Sequence, residues 1–221
     1  MTTILLARHG QSDWNEARRW QGHADRPLTD KGRAQAAALA DRVGRFELDA
    51  VYSSDLERAR ETAAAVAGSR GLAVTVEPAL REVDVGSWSG LTRAEAEERD
   101  PDGFRRWREG GAGWSDGETY GDMSRRVLAA VEAIARRHDG GSVLLVSHGG
   151  PIRAIHAAAL GLDVEEYRRL RPVEPNARLS AVCFVDGALT ELCSGSRIDE
   201  LLERDQRERS AAATQPPTPA G

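Results

Sequence analysis

The sequence has few cysteines and no long apolar run, and both absences narrow the class of protein. Only two cysteines, Cys183 and Cys193, occur in 221 residues, and both lie in apolar segments that predict core strands. A disulfide framework is therefore not expected, and a reducing cytoplasm is the expected compartment. No apolar run approaches the ~18 residues of a transmembrane helix, and no leader precedes the first predicted strand, so we expect neither a membrane partner nor a signal peptide.

Lysine is almost absent, and the many arginines are scattered along the chain. Lys31 is the single lysine, and the formal net charge is -5. Because no block of Lys and Arg is present, no nucleic-acid partner is expected. The sequence also lacks the clustered His, Cys and Asp residues of a zinc or two-metal site, so neither a metal nor another cofactor is expected.

Alternating strand and helix signals predict an α/β fold, a three-layer α/β/α sandwich with a mainly parallel central sheet. The predicted strands lie at 4–7, 49–53, 72–76, 141–147, 179–185 and 188–192, the last two forming a hairpin. Helices are predicted at 30–44, at 54–68 behind a capping box of Ser54 and Glu57, at 120–137 and at 149–160.

The alternating pattern breaks twice. Residues 13–27 read as a long loop, and residues 80–122 as a polar, Gly-rich and Trp-containing excursion with short helical pieces near 93–99 and 104–108. We expect this excursion to form a lid over the active-site edge of the sheet. One domain is predicted over 1–198, followed by a disordered tail at 199–221.

Two apolar stretches end in the same way, with a histidine followed by a glycine. The first leads into Arg8 and His9, and the second leads into His148. Ligands of open α/β sheets bind beyond the carboxyl ends of the strands, so both imidazoles emerge at one edge if these strands are neighbours. Arg58, at the start of a helix that follows another strand, can reach the same edge. Two arginines, two histidines and a helix N-terminus predict a pocket for a phosphoryl group.

Five short motifs resemble, in order, those of the histidine phosphatase (phosphoglycerate mutase-like) superfamily, and they span roughly residues 3–193. They are Arg8-His9-Gly10 with Ser12, Asn15, Gly22, Asp25 and Pro27-Leu28-Thr29; Asp55-Leu56-Glu57-Arg58-Ala59 with Thr62 and Ala63; Leu80-Arg81-Glu82 with Gly86, Trp88 and Gly90-Leu91-Thr92; Gly117-Glu118-Thr119; and Ser147-His148-Gly149-Gly150. One tripeptide of this kind would be weak evidence for the family, whereas five motifs in the family's order are specific evidence for it.

The resemblance implies a metal-independent phosphomonoester hydrolase that works through a phosphohistidine on His9. Arg8, Arg58 and His148 would hold the phosphoryl oxygens, and Glu82 would exchange a proton with the leaving alcohol and the attacking water. Further contacts with the phosphoryl group or substrate are implied for four residues. These are Asn15, Gln21, Gly22 and Gly149.

The third motif favours a phosphatase over a mutase. Residues 81–86 lack the Arg and Tyr of the Glu-Arg-His-Tyr-Gly run of glycolytic mutases, and the excursion is short. The expected substrate is a small sugar phosphate or phosphoglycerate-type metabolite. Mutase-type phosphoryl transfer and a catalytically silent phosphoryl-binding module remain alternatives, as does a metal-dependent hydrolase with His9 and His148 as ligands.

The excursion leaves two further questions open. Its arginines could meet a second anionic group of the substrate or form a solvated helix face; they are Arg93, Arg105, Arg106 and Arg108. Its tryptophans could stack on the substrate, although packing beneath the excursion is favoured. The family forms monomers and homodimers, and the sequence does not choose between them.

Overall fold

A mixed sheet of six strands lies at the centre of the protein. The structure, a computed structural model, describes residues 1–194, with side chains to residue 190. The strands are β1 (Thr2–Arg8), β2 (Ala50–Ser53), β3 (Val74–Val76), β4 (Ser142–Ser147), β5 (Leu179–Val185) and β6 (Ala188–Ser194). Their order is β3-β2-β4-β1-β5-β6. The first four are parallel, and β5 and β6 add an antiparallel hairpin at one edge. The predicted α/β fold is confirmed.

Helices cover both faces of the sheet. The described part contains α1 (Asp13–Glu16), α2 (Asp30–Val43), α3 (Glu57–Gly68), α4 (Arg93–Arg99), α5 (Pro101–Arg108), α6 (Tyr120–Arg137), α7 (Gly149–Ala159) and α8 (Val164–Leu170), with 3-10 turns at Pro78–Leu80 and Gly86–Trp88. Helices α2 and α3 pack on one face, and α6, α7 and α8 on the other. These layers form because apolar stripes of the helices need a sheet face to bury against.

Strand β1 shows why two faces are covered. Ile4 and Leu6 pack into the cluster beneath α6 and α7, whereas Leu5 and Ala7 pack into the cluster beneath α2 and α3. All four are fully buried. Successive side chains of a strand point to opposite faces, so a continuous apolar run indicates burial on both sides. The parallel pairing of β1 with β4 also matches the expectation that these two strands are neighbours.

Local predictions failed at two points near the sheet edge. The segment 13–27 is not all loop, because Ser12 and Asn15 cap each other and begin the one-turn helix α1. The predicted capping box of Ser54 and Glu57 is wrong. The residue before α3 is Leu56, which gives no side-chain cap, and the Ser54 hydroxyl bonds to His148 instead.

The excursion packs as part of the core. Trp88 and Trp114 are 2% and 4% exposed, and their rings meet at 5.6 Å in an edge-on arrangement. The burial of Trp88 and Trp114 agrees with packing beneath the excursion rather than with stacking on a substrate. Its role as a lid stays a prediction. Helix α8 was not predicted, and the predicted tail at 199–221 lies outside the described residues.

Candidate active site

His9 follows the last residue of β1 and is held as a neutral imidazole. Its Nδ1 donates a hydrogen bond to the carbonyl oxygen of Gly10 at 2.7 Å, which leaves the lone pair on Nε2. Burial and the charges of Arg58 and Arg8 hold the pKa of His9 well below its ordinary value. A neutral nitrogen without a protein partner is what a nucleophile for phosphoryl transfer requires.

His148 occupies the corresponding position after β4, and its ring centroid lies 5.0 Å from that of His9. The register explains this proximity, because Arg8 pairs with Ser147 and the histidines are the next residue of each strand. Nε2 of His148 hydrogen-bonds to the Ser54 hydroxyl at 2.8 Å. Burial, together with the Arg58 charge, holds the pKa of His148 well below its ordinary value. When Ser54 donates, the proton of the neutral ring is on Nδ1, which can donate to an oxyanion.

Two arginines reach the same edge of the sheet. Arg8 ends β1, and its Nη1 donates to the carbonyl oxygen of Glu174 at 2.6 Å. Arg58, the second residue of α3, is 1% exposed and donates to the carbonyl oxygens of Ala24 and Gly22 at 2.8 and 2.9 Å. Burial lowers the pKa of both guanidinium groups, that of Arg58 to about 10. Both remain charged at neutral pH.

Three of these side chains present a buried nitrogen with no hydrogen-bond partner. The atoms are Nε of Arg8, Nε of Arg58 and Nδ1 of His148. Leaving a buried donor unsatisfied costs about 1–3 kcal/mol, so three of them around one imidazole indicate an anion site. A phosphoryl group fits because it brings three acceptor oxygens and negative charge.

Glu82 lies beside the first turn of α7. Its Oε1 accepts hydrogen bonds from the backbone nitrogens of Val83 and Gly150 at 2.9 and 3.0 Å. A Cβ on Gly149 would stand 3.7 Å from Oε2 of Glu82 and 3.9 Å from Nε of Arg8, so the carboxyl group borders the anion pocket. A carboxyl group here can exchange a proton with an oxygen bonded to phosphorus.

Comparison with known proteins agrees with this geometry. The profile of the histidine phosphatase superfamily (branch 1) matches residues 4–194. The chain belongs to the histidine phosphatase superfamily.

Relatives of this histidine phosphatase include named phosphatases. Phosphoserine phosphatase 1 from Hydrogenobacter thermophilus is 37% identical over 169 residues, which cover 76% of this chain and 80% of the relative. Glucosyl-3-phosphoglycerate phosphatase from Mycolicibacterium vanbaalenii is 37% identical over 173 residues, covering 74% and 76%. The structure of Bacillus stearothermophilus YhfR aligns with a TM-score of 0.82 at 33% identity, covering 90% of this chain and 100% of that one. The predicted family and the predicted class, phosphoric monoester hydrolase, are confirmed.

The segment that carries Glu82 in this histidine phosphatase is fixed by a residue that sequence reasoning missed. Arg126, within α6, donates to the carbonyl oxygens of Ala79, Arg81 and Glu82 at 2.7 to 2.8 Å. Two further bonds of 2.7 Å join its guanidinium group to the carboxylate of Glu118. No local pattern singles out Arg126, although Glu118 belongs to the fourth motif.

His23 supports the same segment from the other side. Its Nε2 donates to the carbonyl oxygen of Glu82 at 2.9 Å, and its Nδ1 lies 3.8 Å from Asp84. This carbonyl therefore accepts hydrogen bonds from both His23 and Arg126. The contacts fix the backbone from which the Glu82 carboxyl group projects.

Asn15 is brought to the site by a second residue that was missed, Asn176. The Asn176 amide donates to the carbonyl oxygen of His9 and to the Asn15 amide oxygen at 3.0 and 3.1 Å. That oxygen also accepts from the backbone nitrogen of Ser12 at 3.1 Å. Its acceptor end is thus occupied, and the NH₂ group of Asn15 remains available to an anion.

Gln21 and Gly22 shape the entrance loop. The Gln21 side chain is buried and accepts a hydrogen bond from the Ser12 hydroxyl at 2.7 Å. Gly22 adopts a φ of +50°, and a Cβ there would stand 2.7 Å from Val85 Cγ2. Only glycine fits this position without strain, and its carbonyl oxygen is one of the two that hold Arg58.

The arginines of the excursion are engaged elsewhere. Arg93 stacks over Trp107 at 5.3 Å, Arg105 pairs with Asp102 in an exposed i,i+3 contact, and Arg106 donates to the carbonyl oxygen of Gly113. Arg108 lines a surface groove with Phe104. These contacts favour a structural or solvated role over recognition of a second anionic group.

Across the described part of the chain, no group of three or more His, Cys, Asp and Glu side chains is arranged to hold a metal ion. None of the helices described is both long enough and apolar enough to cross a membrane.

Proposed function

We propose that this chain hydrolyses small phosphomonoesters through a phosphohistidine formed on Nε2 of His9. One observation carries the proposal. The imidazole is held through Nδ1 by Gly10, and beside it Arg8, Arg58 and His148 each keep one buried donor nitrogen without a hydrogen-bond partner. A tetrahedral phosphoryl group there satisfies these donors and meets Nε2.

The first step transfers the phosphoryl group to the enzyme. The Nε2 lone pair forms a bond to phosphorus while the ester P–O bond breaks, and the electron pair of that bond leaves with the alkoxide oxygen. Protonated Glu82 gives its proton to this oxygen, and the alcohol departs. Charge developing on the phosphoryl oxygens is met by the guanidinium groups of Arg8 and Arg58.

The second step returns the enzyme to its starting state. Water forms a bond to phosphorus while the P–N bond breaks, and Glu82, now a carboxylate, takes a proton from the water. Inorganic phosphate leaves, and His9 is again a neutral imidazole. The hydrogen bond to Gly10 keeps the same ring nitrogen protonated throughout, so Nε2 is always the reacting atom.

The substrate class follows from the pocket and from the relatives. Phosphoserine and glucosyl-3-phosphoglycerate, named in two relatives, are small phosphate esters that carry a carboxylate. We propose an ester of this size, rather than a phosphoprotein, for this chain. The phosphatase names also favour hydrolysis over mutase-type transfer.

Mass spectrometry of the quenched enzyme tests the proposal. The protein is mixed with p-nitrophenyl phosphate, quenched under alkaline conditions within milliseconds and digested. We expect an acid-labile addition of one phosphoryl group on the peptide that contains His9. In His9→Ala, turnover and the labelled peptide should both be lost, and a His9→Ala variant as active as the wild type would refute the mechanism.

A further inference from the structure

We propose that Arg153 and Arg168 form a second cationic subsite beside Glu82, and that it binds a carboxylate on the leaving group of the substrate. The inference rests on the proposed function, because it assigns a leaving group to the reaction at His9. It assigns substrate recognition to Arg153, in the middle of α7, and to Arg168, in α8, neither of which belongs to any of the five motifs.

Arg153 is placed by the helix that borders the site. It lies one turn, about 5 Å of helix rise, beyond Gly149 and Gly150, whose backbone meets Glu82. Helix side chains lean toward the N-terminus, so the Arg153 side chain covers the first turn of α7. Its Nη2 donates to the carbonyl oxygen of Arg171 at 3.1 Å.

Arg168 reaches the same region from α8. The face of its guanidinium group stacks on the ring of Tyr120 at 3.6 Å, and its Nη1 donates to the carbonyl oxygen of Gly110. Burial raises the pKa of Tyr120 to about 12, so the phenol keeps its proton and adds no negative charge. The stacking fixes the plane of Arg168 and leaves its Nε edge free to donate.

Neither arginine has a carboxylate partner among the described residues. No Asp or Glu oxygen there lies within 4.0 Å of either guanidinium group, whereas Arg126 pairs with Glu118 nearby. The Nε atoms of Arg153 and Arg168 are both buried and unbonded. The charge of Arg168 repels that of Arg153, and Glu82 and Glu165 attract them only from beyond contact distance. Burying cations in this way is costly, and an anionic ligand in contact with them would offset that cost.

The position of the pair selects the leaving group as the source of that anion. The phosphoryl oxygens face Arg8 and Arg58, whereas the ester oxygen must face the proton donor Glu82. Whatever is bonded to that oxygen therefore lies on the Glu82 side. Burial lowers the pKa values of both Arg153 and Arg168, and both are near enough to Glu82 for its charge to raise them in part. A carboxylate is planar and matches the two-pronged edge of a guanidinium group.

Kinetics with a matched pair of esters test the subsite. 3-Phosphoglycerate and glycerol 3-phosphate share a three-carbon skeleton, and only the first carries a carboxylate. We expect the wild type to prefer 3-phosphoglycerate in kcat/KM. In Arg153→Gln and in Arg168→Gln, this preference should fall at least tenfold, mainly through the KM for 3-phosphoglycerate. Arg153→Lys and Arg168→Lys should restore part of it.

Arg169→Gln is the matched control, because Arg169 is an exposed neighbour on α8. It should leave the preference unchanged. The subsite would be overturned, while hydrolysis through His9 stands, if the wild type did not prefer 3-phosphoglycerate. It would also be overturned if the glutamine variants lost kcat/KM equally for both esters. A wild type that hydrolyses neither these esters nor p-nitrophenyl phosphate would overturn the proposed function and the subsite with it. Should a glutamine variant fail to fold, Arg153→Met and Arg168→Met decide in its place, because methionine keeps the apolar stem and removes the charge: an unchanged preference in both would count against the subsite.

Discussion

The backbone nitrogen of Gly150 lies 3.0 Å from Oε1 of Glu82, and this approach depends on glycine. A Cβ on Gly150 would overlap Oε1 and would stand 2.8 Å from the sulfur of Met123. The glycine pair after His148 therefore does more than begin α7. It lets the helix N-terminus meet the proposed proton donor directly.

Gly150→Ala should displace the Glu82 carboxyl group and lower kcat for p-nitrophenyl phosphate about 10–100-fold, because small misplacements of catalytic groups are costly. Steady-state kinetics measure the effect. Gly68→Ala is the control, since a Cβ at Gly68 meets no atom within 4 Å and its φ is not in the left-handed region. Equal kcat values for the two variants would contradict the role given to the Glu82 contact.

Glu82→Gln should slow hydrolysis about 10²–10⁴-fold for glycerol 3-phosphate, the range expected for loss of a general acid. Nitrophenolate is stable without a proton and needs less help in leaving, so the first step should suffer less with p-nitrophenyl phosphate. Phosphohistidine should then accumulate, because water activation is still impaired. The measurement is the ratio of single-turnover rates for the two esters. An identical loss for both would argue against proton donation by Glu82.

Acidification should destabilise the protein through His9 and His148. Their folded-state pKa values lie well below 6.5, so the unfolded chain binds more protons as the pH falls below 6.5. Stability is therefore lost on acidification, by up to about 1.4 kcal/mol per pH unit for each histidine. Urea unfolding between pH 7 and 5 measures the slope. His9→Gln should reduce the slope of the unfolding free energy against pH by the equivalent of about one proton. An unchanged slope would refute the conclusion that His9 is held neutral in the folded protein.

Arg126→Gln should lower both stability and kcat. It removes three contacts to the backbone around Glu82 and leaves Glu118 half-buried without its partner. Hydrogen bonds to charged groups contribute about 1.5–3 kcal/mol, which sets the expected loss in the free energy of unfolding.

The neighbouring Arg125→Gln serves as the control, since the one ion pair that Arg125 forms within residues 1–194 is an exposed pair with Asp122. The free energy of unfolding, measured by chemical denaturation, and kcat should both be lower in Arg126→Gln than in Arg125→Gln. The double variant Arg126→Gln/Glu118→Gln should regain part of the stability, because it no longer holds an unpaired carboxylate. If Arg126→Gln behaved like Arg125→Gln, the positioning role would be wrong.

Much of the fold could be predicted because its signals are local. Apolar runs predicted β1 and β4, and the apolar stripe of α6 predicted that helix with both of its ends correct. The capping box at Ser54 was wrong because α3 begins only at Glu57, and the Ser54 hydroxyl accepts from the backbone nitrogen of Leu56 and bonds to the distant His148. Tertiary contacts of this kind override a local pattern, and no spacing along the chain reveals them.

The amino-acid sequence alone determined the two histidine-ended strands, the order of the motifs and hence the family, since each depends on neighbours in the chain. Tertiary structure alone decided which groups hold those residues in place. Arg126, Asn176, Arg153 and Arg168 all lie outside the five motifs. Their roles depend on which side chains lack partners once the chain is packed, and that property exists only in three dimensions.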